Sequence, residues 1–436
     1  MVRQQRRIRK LAMRRISMRA MAPSLGTAAA LFAHSSVAFC QTTVDTRMER
    51  DTVNARSRPG YEAAGIPLGS FQLQPSASLQ TLVTDNLYAR SDVKVWDVSV
   101  SVLPAIALQS QWKRHALGLT AEGAIDRHFS HGTEDNARYA LGAEGRIDAS
   151  AATRISADLS FARRVEGRGT TGDTLFGAKP IAYHQLSAGL SVDQDFSRTK
   201  ISVQGRFDRY RYSDRQLGGV TIDLSPRNYE AVSGEFRVAQ GLSPGVAAYT
   251  SLSYNHARYP AQAAGASRNS HGFAALGGLA LGLNRLLQGE IGVGYLKQSF
   301  DNPLFPTISG LDYHAQLRWN PTRLTAISFG AGKSVQRSPL LAIAGVEQQT
   351  FTLAADHELL RNLNLRPAAT YTISKYRGSP RRDHYGSVQL AVAWLLNDRV
   401  QINALVGHVL GRNSDPTQTA RQFDQNRVTL GVTYRM

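Results

Sequence analysis

Polar and apolar residues alternate along most of the chain, and the last stretch shows the pattern most plainly. Val428, Leu430, Val432, Tyr434 and Met436 alternate with Arg427, Thr429, Gly431, Thr433 and Arg435. Successive side chains of a strand point to opposite faces, so one face here is apolar and the other polar or empty. About ten such residues with an aromatic near the end suit a strand that closes a barrel in lipid. Three other stretches repeat the parity. Leu117, Leu119, Ala121, Gly123 and Ile125 flank Thr120, Glu122 and Asp126. Ile201, Val203, Gly205 and Phe207 flank Ser202, Gln204, Arg206 and Asp208. Leu311, Tyr313, Ala315, Leu317 and Trp319 flank Asp312, His314, Gln316 and Arg318. From Phe71 onward the texture is period-two throughout.

Short polar turns recur at Lys113-Arg114, Thr153-Arg154, Ser197-Arg198, Ser243-Pro244, Asn284-Arg285, Asn320-Pro321, Arg361-Asn362 and Asn397-Asp398. Between them lie longer loops, at 166–179, 213–228, 260–271, 301–310, 336–347, 377–383 and 412–421. Tight turns alternating with long loops predict an all-β fold, a transmembrane antiparallel up-and-down β-barrel. Two strands per turn give about eighteen strands, or about sixteen if residues 71–83 do not pair. Both termini then share the periplasmic side with the tight turns. Trp112, Phe196, Trp319, Trp394 and Tyr434 all fall at that level, as an interfacial aromatic girdle should. A propeller of four-stranded blades repeats at a similar length, but it needs a recurrent blade motif that this sequence lacks.

Residues 1–20 carry eight Lys or Arg and no acid, and small apolar residues follow up to Ser36-Val37-Ala38. This predicts a secretory signal over 1–38, a polar periplasmic lead-in over 39–69 and the barrel over 70–436. The formal charge of +18 falls to +10 once the signal's basic residues are set aside. The remaining cations are scattered at alternate positions, which argues against a nucleic-acid partner. After the signal no apolar run approaches the length of a membrane helix. The single Cys40 excludes an intrachain disulfide framework. The bulky Phe39 before it argues against a lipid-modified cysteine.

Carried from strand to strand, parity puts Glu122, Arg138, Glu144, Arg146, Asp158, Arg164, Gln204, Arg206, Asp312, Gln316, Arg318, Gln389, Gln401 and Asn403 on the lumen side. Both signs occur in similar number, which predicts salt bridges between neighbouring strands rather than a filter of one sign. Outward parity followed to the loop end of the rising strands meets a basic residue repeatedly. The set is Arg127, Arg163, Arg209, Arg258, Lys297, Lys333, Arg377 and Arg412, with Lys94 at the head of a descending strand. Arg or Lys at the bilayer midplane costs about 2–4 kcal/mol. These residues are therefore expected at the outer leaflet, against lipid and lipopolysaccharide phosphates.

Six motifs run in order along the chain: Arg58-Pro-Gly-Tyr-Glu-Ala-Ala-Gly-Ile-Pro-Leu-Gly-Ser-Phe71, Gln111-Trp-Lys-Arg-His115, Arg206-Phe-Asp-Arg-Tyr-Arg-Tyr-Ser-Asp214, Gly292-Val-Gly-Tyr-Leu296, Trp319-Asn-Pro-Thr322 and Asp356-His-Glu-Leu359. Their series resembles the putative beta-barrel porin type 2 family over residues 58–436, and Asp-Asn-Leu-Tyr at 85–88 fits its first loop. The final strand (Val428, Leu430, Val432, Tyr434, Met436) resembles the signal by which outer-membrane barrels meet the barrel-assembly machinery. Met436 stands where that signal usually has Phe or Trp. The resemblance implies residence in the bacterial outer membrane and a transport role. Many members are associated with exopolysaccharide or capsule production, which makes polysaccharide-export components the expected partners. It carries over no catalytic residues.

A lipid-modifying barrel enzyme would need a nucleophile, a His and an orienting polar group together near the outer leaflet. His128, His131, His256, His271 and His408 lie near loop ends, without a recognisable partner motif. Parity sends His256 and His408 toward lipid and His128 inward, and it leaves His357 at a periplasmic turn. Neither a Cys–His metal cluster nor a phosphate-binding Gly loop leads into a helix. The expectation is passage of a polar solute without chemistry, cofactor or metal, and polysaccharide export leads. A passive porin and a lipid-modifying enzyme are the alternatives. A gated receptor is disfavoured, because the lead-in is too short for a folded plug domain.

Overall fold

The computed structural model describes residues 53, 56–175, 178–261, 267–283, 286–343, 345–415 and 421–436. The signal, Cys40, most of the lead-in and the Asn284-Arg285 turn lie outside the described residues. Twenty-one strands follow one another along the chain. The first seven long ones and the short strand before them are β1 (Ile66–Leu68), β2 (Phe71–Thr84), β3 (Asp97–Ser110), β4 (Ala116–His128), β5 (Asn136–Asp148), β6 (Thr153–Val165), β7 (Ala182–Phe196) and β8 (Thr199–Tyr212). A short loop hairpin, β9 (Arg215–Leu217) and β10 (Val220–Ile222), comes next. Then come β11 (Tyr229–Ser243), β12 (Val246–Arg258), β13 (Ser270–Leu283), β14 (Leu287–Phe300), β15 (Ile308–Thr322) and β16 (Thr325–Arg337). The last five are β17 (Gly345–Leu360), β18 (Leu363–Tyr376), β19 (Arg382–Leu395), β20 (Val400–Asn413) and β21 (Phe423–Arg435).

β2–β8 and β11–β21 form a closed antiparallel barrel of eighteen strands. Closure is made by β2 against β21, from Ser76↔Arg435 to Thr84↔Arg427. Residues 71–83 therefore pair with β3 throughout and, from Ser76 on, with β21, which decides eighteen over sixteen. Lipid offers the backbone no hydrogen-bond partner, so a spanning sheet is stable only when no edge is left open.

The period-two pattern becomes two faces. Leu119 and Ile125, Leu159 and Phe161, Val203, Ile291 and Val293, and Leu430 and Val432 are exposed on the outer wall. Trp112, Phe196, Trp319, Trp394 and Tyr434 are exposed there as well, beside the tight turns. The turn expected at Asn320-Pro321 sits three residues later, at Arg323-Leu324. β15 continues through a bulge between Trp319 and Thr322, and Thr322 pairs with Thr325. The extra residue of the bulge absorbs Pro321, which has no N–H to give the ladder. At an earlier such turn Gly245 has φ +81, and a Cβ there would lie 2.7 Å from the Gly282 carbonyl oxygen, so only glycine fits.

Candidate solute pathway through the barrel

The lumen has three levels, and each is set by residues of inward parity. A cavity of about 2070 Å³ joins them, bordered by Arg58 and Tyr61 at one end and by Tyr183, Tyr229 and Tyr259 at the other.

At the periplasmic mouth the lead-in runs along the inside of the wall. Arg58 Nη2 donates to the Val53 carbonyl at 2.8 Å, to Asn364 Oδ1 at 3.1 Å and to Glu358 Oε2 at 3.3 Å. Arg56 reaches Glu358 Oε1 at 3.4 Å. Arg435 of β21 donates to the Tyr61 carbonyl at 2.8 Å. Glu358 and Asn364 are buried, inward residues of β17 and β18. The described part of the lead-in is held as a strap across the mouth.

Between the two mouths acids and bases pair, mostly across neighbouring strands. Arg138 meets Asp126 at 2.6 Å, Arg206 meets Asp158 at 3.4 Å, and Arg146 and Arg154 share Asp148 at 3.4 and 3.3 Å. Arg318 and Arg366 share Asp356, at 4.0 and 3.2 Å. Gln204 donates to Glu235 at 2.8 Å, and Gln401 and Asn403 continue a chain to Thr433. Glu122 and Gln316 face the open water of the lumen, Glu144 leans over Gly118, and Gln389 is half-buried on the inner face. Asp312 is buried there. One knot is tighter. Glu290 takes Arg237 at 2.8 Å and His314 at 2.6 Å, while Arg237 stacks 3.7 Å above the ring of Tyr249. The hydroxyl end of that ring sits against Gly278 and Gly292, whose missing Cβ atoms leave it room.

At the extracellular end five tyrosines form a belt across four adjacent strands. Tyr183 lies against Tyr212 (5.2 Å between ring centres) and Tyr210 (5.9 Å). Tyr210 stacks on Tyr229 at 4.5 Å, and Tyr229 meets Tyr259 at 5.6 Å. Loop arginines cover this belt. Arg227 sits 4.3 Å over Tyr212, Arg268 4.6 Å over Tyr259, and Arg337 4.8 Å over Tyr229. Arg227 is ion-paired to Glu166, and Arg268 donates to the carbonyls of Pro226 and Ser338. Burial pushes the Glu166 carboxyl up to about 7 against the pull of Arg227. Further round, Arg168 clasps Glu134 at 2.6 Å and Asp173 at 3.0 Å. The loops thus lock to one another as well as to the wall.

Sequence reasoning missed the belt and its arginines. The available signal was a tyrosine at inward parity beside a long loop on successive strands, as in Tyr210 and Tyr212 of the Arg206 motif. It also missed the bond of His128 (2.6 Å) and His131 (2.8 Å) to the buried Asp97. His256 and His408 are exposed on the outer wall, and His357 contacts Thr325 at 3.0 Å.

The basic rim is uneven. Lys94, Arg127, Arg258 and Lys297 are exposed, and Arg163 is half-exposed. Arg209 pairs with Glu230 at 3.0 Å, Arg412 with Asp424 at 2.8 Å, Arg127 with Asp135 at 3.7 Å and Arg377 with Glu347. Lys333 departs from the expectation. It is buried 3.6 Å from Glu347 and borders the cavity. β16 pairs with β15 only as far as Gly332↔His314, while its pairing with β17 runs on to Arg337↔Gly345. Above Gly332 the hairpin leaves the wall, and parity no longer separates lipid from lumen.

Residues 58–436 match the model of the family described as Putative beta-barrel porin 2. The chain belongs to that family. Its barrel is accordingly of the outer-membrane kind. No curated protein matches the chain. Among solved structures it is similar to OpdL of Pseudomonas aeruginosa, at 13% identity over 85% of this chain and 99% of that one, with a TM-score of 0.42. It is similar to OpdK of the same organism at 13% identity, over 84% and 99%, with a TM-score of 0.44. The siderophore receptor PirA of Acinetobacter baumannii is similar at 6% identity over 83% and 80%, with a TM-score of 0.45. Likeness this distant says nothing about the solute of the porin 2 barrel.

Proposed function

We propose that this porin 2 barrel is an outer-membrane conduit for a polar polymer, a secreted polysaccharide, and that it performs no chemistry on it. The observation that carries the reading is the middle of the lumen. The charges of Arg206 and Asp158 cancel as a pair, and amides such as Gln204 border the same cavity. A sugar chain slides on many weak, replaceable hydrogen bonds, whereas one strong site would stall it. The order of the sequence motifs supports the same reading, with polysaccharide-export components on the periplasmic side. The test is a deletion strain in which secreted polymer, periplasmic polymer and small-sugar uptake are measured together. Export should fall and periplasmic polymer rise, with uptake nearly unchanged. Normal export with slowed uptake would favour the second reading, a passive pore for small polar solutes. The cavity of about 2070 Å³ supports that alternative. Normal transport of both with altered lipid structure would return the enzyme reading.

A further inference from the structure

The charge balance of the middle lumen fails at the tyrosine belt. Four arginines, Arg164, Arg227, Arg268 and Arg337, surround it, against the carboxylates Glu166 and Asp208. Glu166 is taken by Arg227, and Asp208 accepts a hydrogen bond from Ser187 at 2.5 Å. Arg227 and Arg268 have an evident structural duty, since both tie loops together through Glu166 and loop carbonyls. Arg164 and Arg337 do not share it. Arg164 is the inward residue of β6 opposite Tyr183, exposed to the lumen, with no hydrogen bond or ion pair to any described residue. Arg337 rests on Tyr229, and its Nε is buried without an acceptor among the described residues. Both border the cavity.

A guanidinium that faces a lumen without a carboxylate is a ready fork for one. The neighbouring phenols offer apolar ring surface and hydroxyls together, the two surfaces that a sugar ring also presents. We propose that the belt, with Arg164 and Arg337, is a binding site for an acidic sugar chain, one with carboxylates on its rings. This deepens the polysaccharide reading and rests on it. The paired middle of the lumen then holds any part of the chain loosely, while the belt selects for charge.

The experiment uses the full-length protein in planar bilayers, with oligogalacturonate and a neutral malto-oligosaccharide of equal length as probes. The acidic oligomer should interrupt the current at a concentration roughly tenfold or more below the neutral one. The double variant Arg164→Gln, Arg337→Gln should lose that preference, and Arg164→Lys, Arg337→Lys should keep most of it. The lysine variant guards against a mere folding defect, because it alters shape but not charge. Equal interruption by both oligomers, unchanged in the glutamine variant, would overturn the acidic site while leaving polysaccharide passage standing. A glutamine variant that shifts only the selectivity for small ions would overturn it as well. If neither oligomer interrupts the current, the site and the polysaccharide reading fall together.

Discussion

Arg58→Ala isolates what holds the lead-in across the periplasmic mouth. Arg58 Nη2 makes three hydrogen bonds, and one of them is to Glu358, whose side chain is only 4% exposed. Removing one partner of a buried, charge-assisted pair costs about 3–5 kcal/mol. Two features lower that figure. Arg56 still reaches Glu358 at 3.4 Å, and Arg58 Nε is already buried without an acceptor. A loss of about 3 kcal/mol is the working value, which lowers the docking equilibrium roughly a hundredfold. The remaining ties of the strap include Arg56 to Glu358, Arg435 to the Tyr61 carbonyl, Gln72 to the Ala64 carbonyl and the pairing of β1 with β2. The salt bridge among them, Arg56 to Glu358, is long and has an exposed arginine, so the segment around Arg56 and Arg58 should leave the mouth while the barrel, closed independently by β2 and β21, stays folded. Two assays read this. Trypsin should cleave after Arg56 much faster in the variant, and single-channel conductance should rise. If cleavage and conductance both match the parent, Arg58 does not hold the strap and the reasoning fails.

Three further outcomes are expected. Gly278→Val should displace the Tyr249 ring and press on the Ile291 carbonyl, lowering stability by about 1–3 kcal/mol; an unchanged urea midpoint would contradict this. The Glu166 carboxyl titrates near 7 when docked, against 4.5 when free. Docking is therefore favoured below pH 4.5, and the advantage, at most about 3 kcal/mol, is lost as pH rises through 7. Conductance should be lower at pH 5 than at pH 8, and Glu166→Gln should abolish the difference; a pH response that survives the substitution would count against Glu166. On the rim, Arg163, Arg258 and Lys297 have no ion pair to a described residue, so replacing these three by Glu should reduce co-purified lipopolysaccharide. The same change at Arg209 or Arg412, already paired with Glu230 and Asp424, should matter less; equal effects would mean that pairing does not decide lipid contact.

The barrel was legible because one face of every strand must be apolar, and period two is a local property. Inward residues such as Arg206 and Gln204 follow from the same parity, and so does the outward placement of Arg127 or Arg258. What parity cannot carry is position where a strand leaves the wall, and Lys333 is the example. Nor can it carry partners that meet through loops. Arg268 reaches Ser338 across seventy residues, and Arg58 reaches Asn364 across more than three hundred. These contacts depend on which loops fold inward, and loop residues have no periodicity to announce it. Even so, Tyr183, Tyr210, Tyr212, Tyr229 and Tyr259 each had the inward parity that would have marked them as a belt.

Arginine narrows both ends of the lumen, but with bonds of different strength, and that difference sets where the pathway can open. At the periplasmic mouth Arg58 and Arg56 converge on one buried carboxylate. At the outer mouth, Arg168 and Arg227 are held by Glu134, Asp173 and Glu166. Among the described residues Arg268 and Arg337 have ring faces and, for Arg268, carbonyl oxygens, but no carboxylate. A cation–π contact contributes about 0.5–2 kcal/mol, less than the loss of a buried ion pair. The outer mouth should therefore loosen first where Arg268 and Arg337 lie on Tyr259 and Tyr229, at the loop ends of β12 and β11. An acidic chain arriving there replaces the ring contacts of Arg337 with a carboxylate, a stronger partner than the one it gives up. Opening and recognition would then be a single exchange at one guanidinium, and the ion-paired loops could stay in place while it happens.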